Sequence, residues 1–311
     1  MGHGSGFGKT ILFNEHFVVY GIPGVVSAIE LTASAEVRRT EKGINIKDER
    51  KGAIGYTQKK LTQQKDSISR ILKALGLEPE LASLEILLGG ELPGFSGIGA
   101  SAASSVAIVR AIVDEYNLGL SKERINGVAY EAEKAYAGNP SGIDNTAATY
   151  GGLIWFRKSV IGRSNTIEKL SLRKPVEIII GNTGIVADTK AMVEGVAARK
   201  KRNPVKFDQL FRQAEDLAFK ARINLIDFNL RKVGVLMNEN HQLLQEINVS
   251  CEELDYLVNL AREKGAYGAK LTGGGGGGCM VALTPGKKLQ EEIATTMKNE
   301  GFQVLKTRIG I

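Results

Sequence analysis

Apolar and polar residues alternate from Ile29 to Val37: Ile29, Leu31, Ala33, Ala35 and Val37 face one way, and Glu30, Thr32, Ser34 and Glu36 the other. A period of two predicts a half-buried strand. The period changes over residues 58–75, where Leu61, Ile68, Leu72 and Leu75 fall on one helical face and Gly76 follows as a stop. Leu84–Leu88 reads as a short apolar strand, and Ile11–Phe13 as another. A helix opens after Ser121, a good N-cap, with Ile125, Val128, Ala129 and Ala132 on its buried side and Gly138 at its end. FNEHFVVYG, from Phe13 to Gly21, reads as a strand-like run. VEIII at Val176 gives a further buried strand and begins a second compact region. Helices follow, one opened by Ser250 and Glu253 in a capping-box pattern. The interleaving of strands and helices predicts an α+β fold in two lobes, residues 1–173 and 174–311.

Two glycine-rich stretches interrupt these periods. From Leu92 to Ile112 a loop carrying Gly94, Gly97 and Gly99 runs into an alanine-rich helix with Ala102, Val106 and Val109 at helical spacing. Glycines let a ligand approach the main chain, and a helix start offers unpaired N–H groups and a partial positive charge. The stretch is either a phosphate cradle, with Ser101 in the first turn, or a glycine loop capping an ordinary core helix. The second stretch, Gly273–Gly278, lies between the apolar segments AKLT and CMVAL rather than in polar sequence. That setting favours a ligand-adjacent loop over a linker. GFGKT, at Gly6–Thr10, fails as a P-loop because His3 stands where the first glycine is needed and a strand follows it.

Composition narrows the classes. The chain has 311 residues, 43% of them hydrophobic and 24% charged, with no apolar run near the ~18 residues of a membrane span. Without a signal-peptide pattern it reads as a cytoplasmic protein with no membrane association. Two distant cysteines and three scattered histidines give neither a disulfide framework nor a zinc site. The net charge of +7 suits an anionic ligand. Its densest basic run, Arg199–Arg202, lacks interleaved aromatics and reads as a solvated helix face, so nucleic acid is not expected as a partner.

Several polar residues stand out, each with a bland alternative. Glu133, near a helix end where the dipole opposes it, is either a solvated carboxylate or a magnesium ligand. Ser141 and Asp144 match a capping box, yet the glycine- and proline-rich lead-in GNPSG is more constrained than a cap requires. An ionised Asp144 would orient a substrate hydroxyl. Glu15 and His16 sit in an apolar context, where a satisfied core histidine is the ordinary reading, and Thr189 reads as a helix N-cap.

Together these pieces resemble the GHMP small-molecule kinases along nearly the whole chain. GKTILFNEHFVVYGIPG (Gly8–Gly24), PGFSGIGASAASS (Pro93–Ser105) and KLTGGGGGGC (Lys270–Cys279) match the family in order. GNPSGIDN, with Glu133 eleven residues before Asp144, and LMNENHQLL (Leu236–Leu244) point to those members that phosphorylate mevalonate. The resemblance implies an N-terminal lobe with a left-handed βαβ unit, a ferredoxin-like C-terminal lobe, and ATP in the cleft. It implies ATP binding by Pro93, Gly97, Ile98, Gly99, Ala100, Ser101, Ala102, Gly274 and Gly275, with Mg2+ on Ser101 and Glu133. Asp144 and Lys9 would be catalytic, and Glu15, His16, Ser141 and Thr189 would bind mevalonate. A homodimer is implied as well. The alternatives are a kinase of the same fold acting on phosphomevalonate or a sugar, and a ligand sensor without catalysis. Departures from the family pattern are Phe7 before Gly8-Lys9, Asn14 before Glu15-His16, and Ala100, which removes a phosphate-facing hydroxyl.

Overall fold

The alternating segment becomes part of β2 (Gly24–Arg39), which follows β1 (Gly2–Phe13). The computed structural model describes residues 1–41, 43–50, 58–94, 97–138, 140–186 and 188–311. Phe95 and Ser96 of the first glycine loop, Asn139 of GNPSG and Ala187 before Thr189 lie outside the described residues. The chain packs as two units, the first comprising Met1–Lys9, Glu30–Phe95 and Gly99–Gly151, the second Thr10–Ile29, Ser96–Ile98 and Gly152–Ile311. The strands β1 and β2 therefore contribute residues to both.

In the first unit, β3 (Ile44–Asp48) runs parallel to β4 (Leu84–Gly90), with α1 (Gln58–Ala74) between them in sequence, a parallel βαβ unit. β4 pairs antiparallel with β2, Ala33 opposite Gly90 through Arg39 opposite Leu84. The helices α2 (Ala100–Glu115), α3 (Lys122–Ala137) and α4 (Ile143–Tyr150) complete it. Val37, Ile86 and Leu88 from the strands meet Ile68, Ile71, Leu72, Val106, Val109, Val128 and Ala132 from the helices in one core. Leu61 is an exception to the expected stripe: it lies in the first turns of α1 and is 41% exposed, the buried face beginning one turn later at Gln64.

A seam that the alternation did not reveal joins β1 to α2. Methyl groups on Gly2, Gly4 and Gly6 would lie 2.1–2.2 Å from the carbonyl oxygens of Ala111, Ala107 and Ala103. Two strand residues advance about 6.8 Å and four helix residues about 6 Å, so glycine at every second position tracks alanine at every fourth. The backbones touch, and Lys9, just beyond the seam, is carried to the first turn of α2.

In the second unit, residues 24–27 of β2 pair antiparallel with β5 (Leu153–Arg157), and β5 with β6 (Thr166–Leu170). A separate antiparallel sheet follows. It is built from β7 (Val176–Asn182), β8 (Gly268–Thr272), β9 (Cys279–Leu283) and β10 (Gln303–Ile309), in the order β10-β7-β9-β8. Between β7 and β8 lie α5 (Thr189–Arg202), α6 (Pro204–Ile226), α7 (Leu230–Glu246) and α8 (Glu252–Glu263); α9 (Lys287–Asn299) joins β9 to β10. That order, fourth-first-third-second, is the ferredoxin-like arrangement expected.

Four local readings are corrected. Residues 14–16 break the strand, with Asn14 and His16 at φ of 70° and 61°, before a 3-10 turn at Phe17–Tyr20. Asn14 sustains the break because its amide donates to the carbonyls of Pro23 and Ala214 and its Oδ1 accepts from Asn240. Gly142, not Ser141, is the N-cap of α4; the Ser141 hydroxyl accepts from the N–H of Ile143 and Asp144 turns elsewhere. Asp188 rather than Thr189 caps α5, accepting from Lys190 and Ala191. Cys251, not Ser250, is the N-cap of α8, without a side-chain bond; the Ser250 hydroxyl donates to the Asp255 carboxylate. Among the described residues, no helix is long and apolar enough to cross a membrane.

Candidate active site

The β1–α2 seam brings Lys9 against Gly99, the N-cap of α2, where a methyl group would lie 2.6 Å from the lysine Cγ and φ is 72°. No other residue fits that position without strain. Lys9 is buried and its ammonium lies 3.0 Å from Oδ1 of Asp144, whose side chain is 37% exposed. Asp144 occupies the first turn of α4, where the helix dipole favours its charge.

Glu133 projects from α3 towards the first two turns of α2. Its carboxylate accepts from the hydroxyls of Ser101 at 3.3 Å and Ser105 at 3.4 Å. Burial, and then the negative charge of Asp144, push its pKa up to about 8 despite the two hydroxyls and Lys9. The first intrahelical bond of α2 runs from Ala103 N–H to the Gly99 carbonyl, so the N–H groups of Ala100, Ser101 and Ala102 have no acceptor within the helix. Pro93 is buried where the chain leaves β4 for this loop, and Ser141 is half-buried just before α4.

The second unit holds another cluster. Here Gly97 packs on Cys279, and a methyl group on Gly273 would lie 3.1 Å from the Gly97 Cα, so the two glycine stretches touch. Ile98 is fully buried. The His16 ring Nε2 lies 2.9 Å from the Gly274 carbonyl, and a methyl group on Gly274 would lie 2.5 Å from the Thr189 hydroxyl. Gly275 sits under the Val249 carbonyl, which a side chain would meet at 2.0 Å. Burial lowers the His16 pKa, so the ring is neutral and Nε2 carries the hydrogen donated to Gly274. The other ring nitrogen, Nδ1, is left as a buried acceptor with no partner among the described residues. Glu15 bonds the Lys270 ammonium, both side chains wholly buried, and Lys270 also donates to the Leu271 carbonyl at 2.6 Å.

Of the sequence-derived candidates, the structure groups Lys9, Asp144, Ser101, Glu133 and Gly99 in one unit, and His16, Thr189, Gly274 and Gly97 in the other. Sequence reasoning passed over Lys270 and Ser105. Lys270 has a visible signal, a cation in the middle of an apolar strand; Ser105 has one only once the helix places it one turn beyond Ser101.

The model of the GHMP kinases N terminal domain matches residues 64–152, and that of GHMP kinases C terminal matches residues 221–303. The chain belongs to the GHMP kinase family. Among curated GHMP kinases it is 34% identical to the mevalonate kinase of Pyrococcus horikoshii, over 97% of this chain and 93% of that one. It is 35% identical to L. major mevalonate kinase, solved in complex with R-mevalonate, with a TM-score of 0.91 over 99% of this chain and 96% of that one. Streptococcus pneumoniae phosphomevalonate kinase, solved with phosphomevalonate and AMPPNP, shares the fold at a TM-score of 0.78 and 17% identity, covering 99% and 100% of the two chains.

Proposed function

We propose that this kinase transfers the γ-phosphoryl group of ATP to the C5 hydroxyl of mevalonate, giving 5-phosphomevalonate and ADP. The observation that carries the reading is the half-open Lys9–Asp144 pair beside the bare start of α2. Phosphoryl transfer needs positioning and charge stabilisation more than covalent chemistry. Asp144 accepts a hydrogen bond from the hydroxyl, aligns its oxygen and receives its proton as the new P–O bond forms. Lys9 offsets negative charge on the transferred group and holds Asp144 in place. The N–H groups of Ala100, Ser101 and Ala102, which have no acceptor within the helix, grip phosphate oxygens; Pro93 and Gly99 of the same unit, and Gly97, Ile98, Gly274 and Gly275 of the other, are assigned to ATP on the family relation.

The residues also fit magnesium. Ser101 and Glu133 offer hard oxygen donors side by side, and Glu133 is a buried acid whose pKa is raised by burial and by the charge of Asp144. Two protein donors suffice for an ion otherwise held by phosphates and water. When bound, the ion offsets the charge of the nucleotide phosphates. Glu15, His16, Ser141 and Thr189 are assigned to mevalonate on the relation to the mevalonate-bound enzyme, Glu15 as the Lys270-paired support next to His16 rather than as an exposed contact; the His16 Nδ1, unpartnered among the described residues, supports this with an acceptor for a substrate hydroxyl. The reading carries a cytoplasmic homodimer with it.

ADP release with a panel of acceptors tests the assignment. Turnover should appear with R-mevalonate and stay at background with phosphomevalonate and galactose. Faster release with either of the latter replaces mevalonate as the substrate, and ATP binding without ADP release for every acceptor replaces catalysis with sensing.

A further inference from the structure

Arg50, two residues beyond β3, is a buried arginine outside every motif discussed above, its side chain only 3% exposed. Its guanidinium is held by Asp48, with Nε at 2.9 Å from Oδ1 and Nη2 at 2.6 Å from Oδ2. This bidentate grip fixes the plane of the fork. The remaining nitrogen, Nη1, reaches the first turn of α2. It donates to the Ser104 hydroxyl at 2.5 Å and lies 3.4 Å from the Ala100 carbonyl, and the same Ser104 hydroxyl donates to that carbonyl at 2.6 Å.

The Ala100 carbonyl belongs to the same peptide group as the Ser101 N–H. A peptide plane gripped at its oxygen by a hydroxyl and a cation has its N–H direction fixed. It is also polarised, because donors on the carbonyl strengthen the N–H as a donor. That N–H is one of the three left without an intrahelical acceptor at the start of α2, and the Ser101 side chain beside it bonds Glu133. Ala100 has no hydroxyl of its own to offer an anion, so the peptide N–H carries the polar contact at this position.

We infer that Arg50 is a positioning residue for nucleotide phosphate: braced by Asp48 and acting through Ser104 and the Ala100 carbonyl, it aims and strengthens the Ser101 N–H. The Asp48–Arg50 pair lies within one segment, and it is Arg50 Nη1 that reaches α2, at the carbonyl of its first residue. The contact to the first turn is what ties the arginine to phosphate. The inference rests on the reading that α2 binds ATP phosphates, and the experiment separates the two.

Dissociation constants for MgATP, ADP and adenosine are measured by calorimetry on the full chain and on Arg50→Met and Ser104→Ala, with melting temperatures alongside. Ser104→Ala keeps the Arg50–Asp48 pair and removes the link to the turn. In both variants MgATP and ADP binding should weaken at least about fivefold, as expected for loss of one charge-assisted hydrogen bond, with adenosine affinity unchanged. Ser104→Ala decides the matter if Arg50→Met does not fold. Variants that melt earlier but bind MgATP as tightly as the original chain overturn the inference and reduce Arg50 to a structural brace. Equal weakening for adenosine overturns it too. An original chain that binds neither MgATP nor ADP overturns the underlying reading instead.

Discussion

The molecule contains two lysine–carboxylate pairs built to different ends. Lys9 is buried, but its partner Asp144 is 37% exposed; Lys270 and Glu15 are both at 0%. The half-open pair leaves carboxylate oxygen accessible, so Asp144 can meet a substrate while Lys9 keeps it in register. The sealed pair has lost its water entirely, and such a pair offsets its desolvation only through close contact and further hydrogen bonds, which Lys270 finds on the Leu271 carbonyl. What separates the two pairs is the partial exposure of Asp144, not the pairing itself.

Breaking the open pair should have the largest effect. Asp144→Ala removes the group that aligns the hydroxyl, and turnover should fall by roughly a thousandfold or more, within the range for loss of a catalytic acid–base group. ATP affinity should stay near its original value, because the N–H groups of α2 are untouched. Near-normal turnover in a coupled ADP assay would remove Asp144 from the mechanism.

Breaking the sealed pair should act on stability. Lys270→Met strands Glu15 as a buried charge and should cost about 3–5 kcal/mol. Adding Glu15→Gln should recover part of that loss, since the remaining amide carries no charge. Denaturant titration reads both. A single variant within ~1 kcal/mol of the original would show that the pair contributes specificity and not stability.

The contrast between the pairs also explains what the sequence could reveal. The glycine loops stood out because bare backbone restricts the residue types allowed there, and Lys9, Glu133 and Asp144 were singled out through motifs shared with the family; their roles remain with the proposal. The strand alternation and the α3 face were legible because burial imposes a period. The break at Asn14–His16 was not: apolar residues run through it, and the positive φ values depend on an Asn14–Asn240 bond from a helix more than two hundred residues away. Caps read at Thr189, Ser141 and Ser250 each lie one residue from the observed ones: Asp188 and Gly142 satisfy the same local rules, and Cys251 caps α8 against them, its neighbour Ser250 being bonded to Asp255. The role of Arg50 was hidden for a similar reason. Nothing local distinguishes an arginine that reaches α2 from one in water.

The pH dependence of stability also separates the two units, which should show opposite slopes. In the first unit Glu133 has its pKa raised from 4.5 to about 8, so between those values the folded chain holds a proton that the unfolded chain has released. Stability from this group is fully present below pH 4.5 and is lost as pH rises through 8. In the second unit His241 is lowered from 6.5 to about 4, chiefly by burial and then by Arg262, with Lys270 in the same sense and Asp255 opposing. Its Nε2 faces Asp255 Oδ1 at 3.0 Å and its Nδ1 accepts from the Leu271 N–H at 3.3 Å, so the neutral ring is the form that fits. Its contribution is present above pH 6.5 and is lost as pH falls through 4. Melting curves of metal-free protein should therefore show Glu133→Gln gaining on the original chain as pH rises from 5 to 8. His241→Gln, whose amide can still donate to Asp255, should gain as pH falls from 6.5 to 4. Parallel curves for Glu133→Gln would mean that the carboxylate is already charged in the fold.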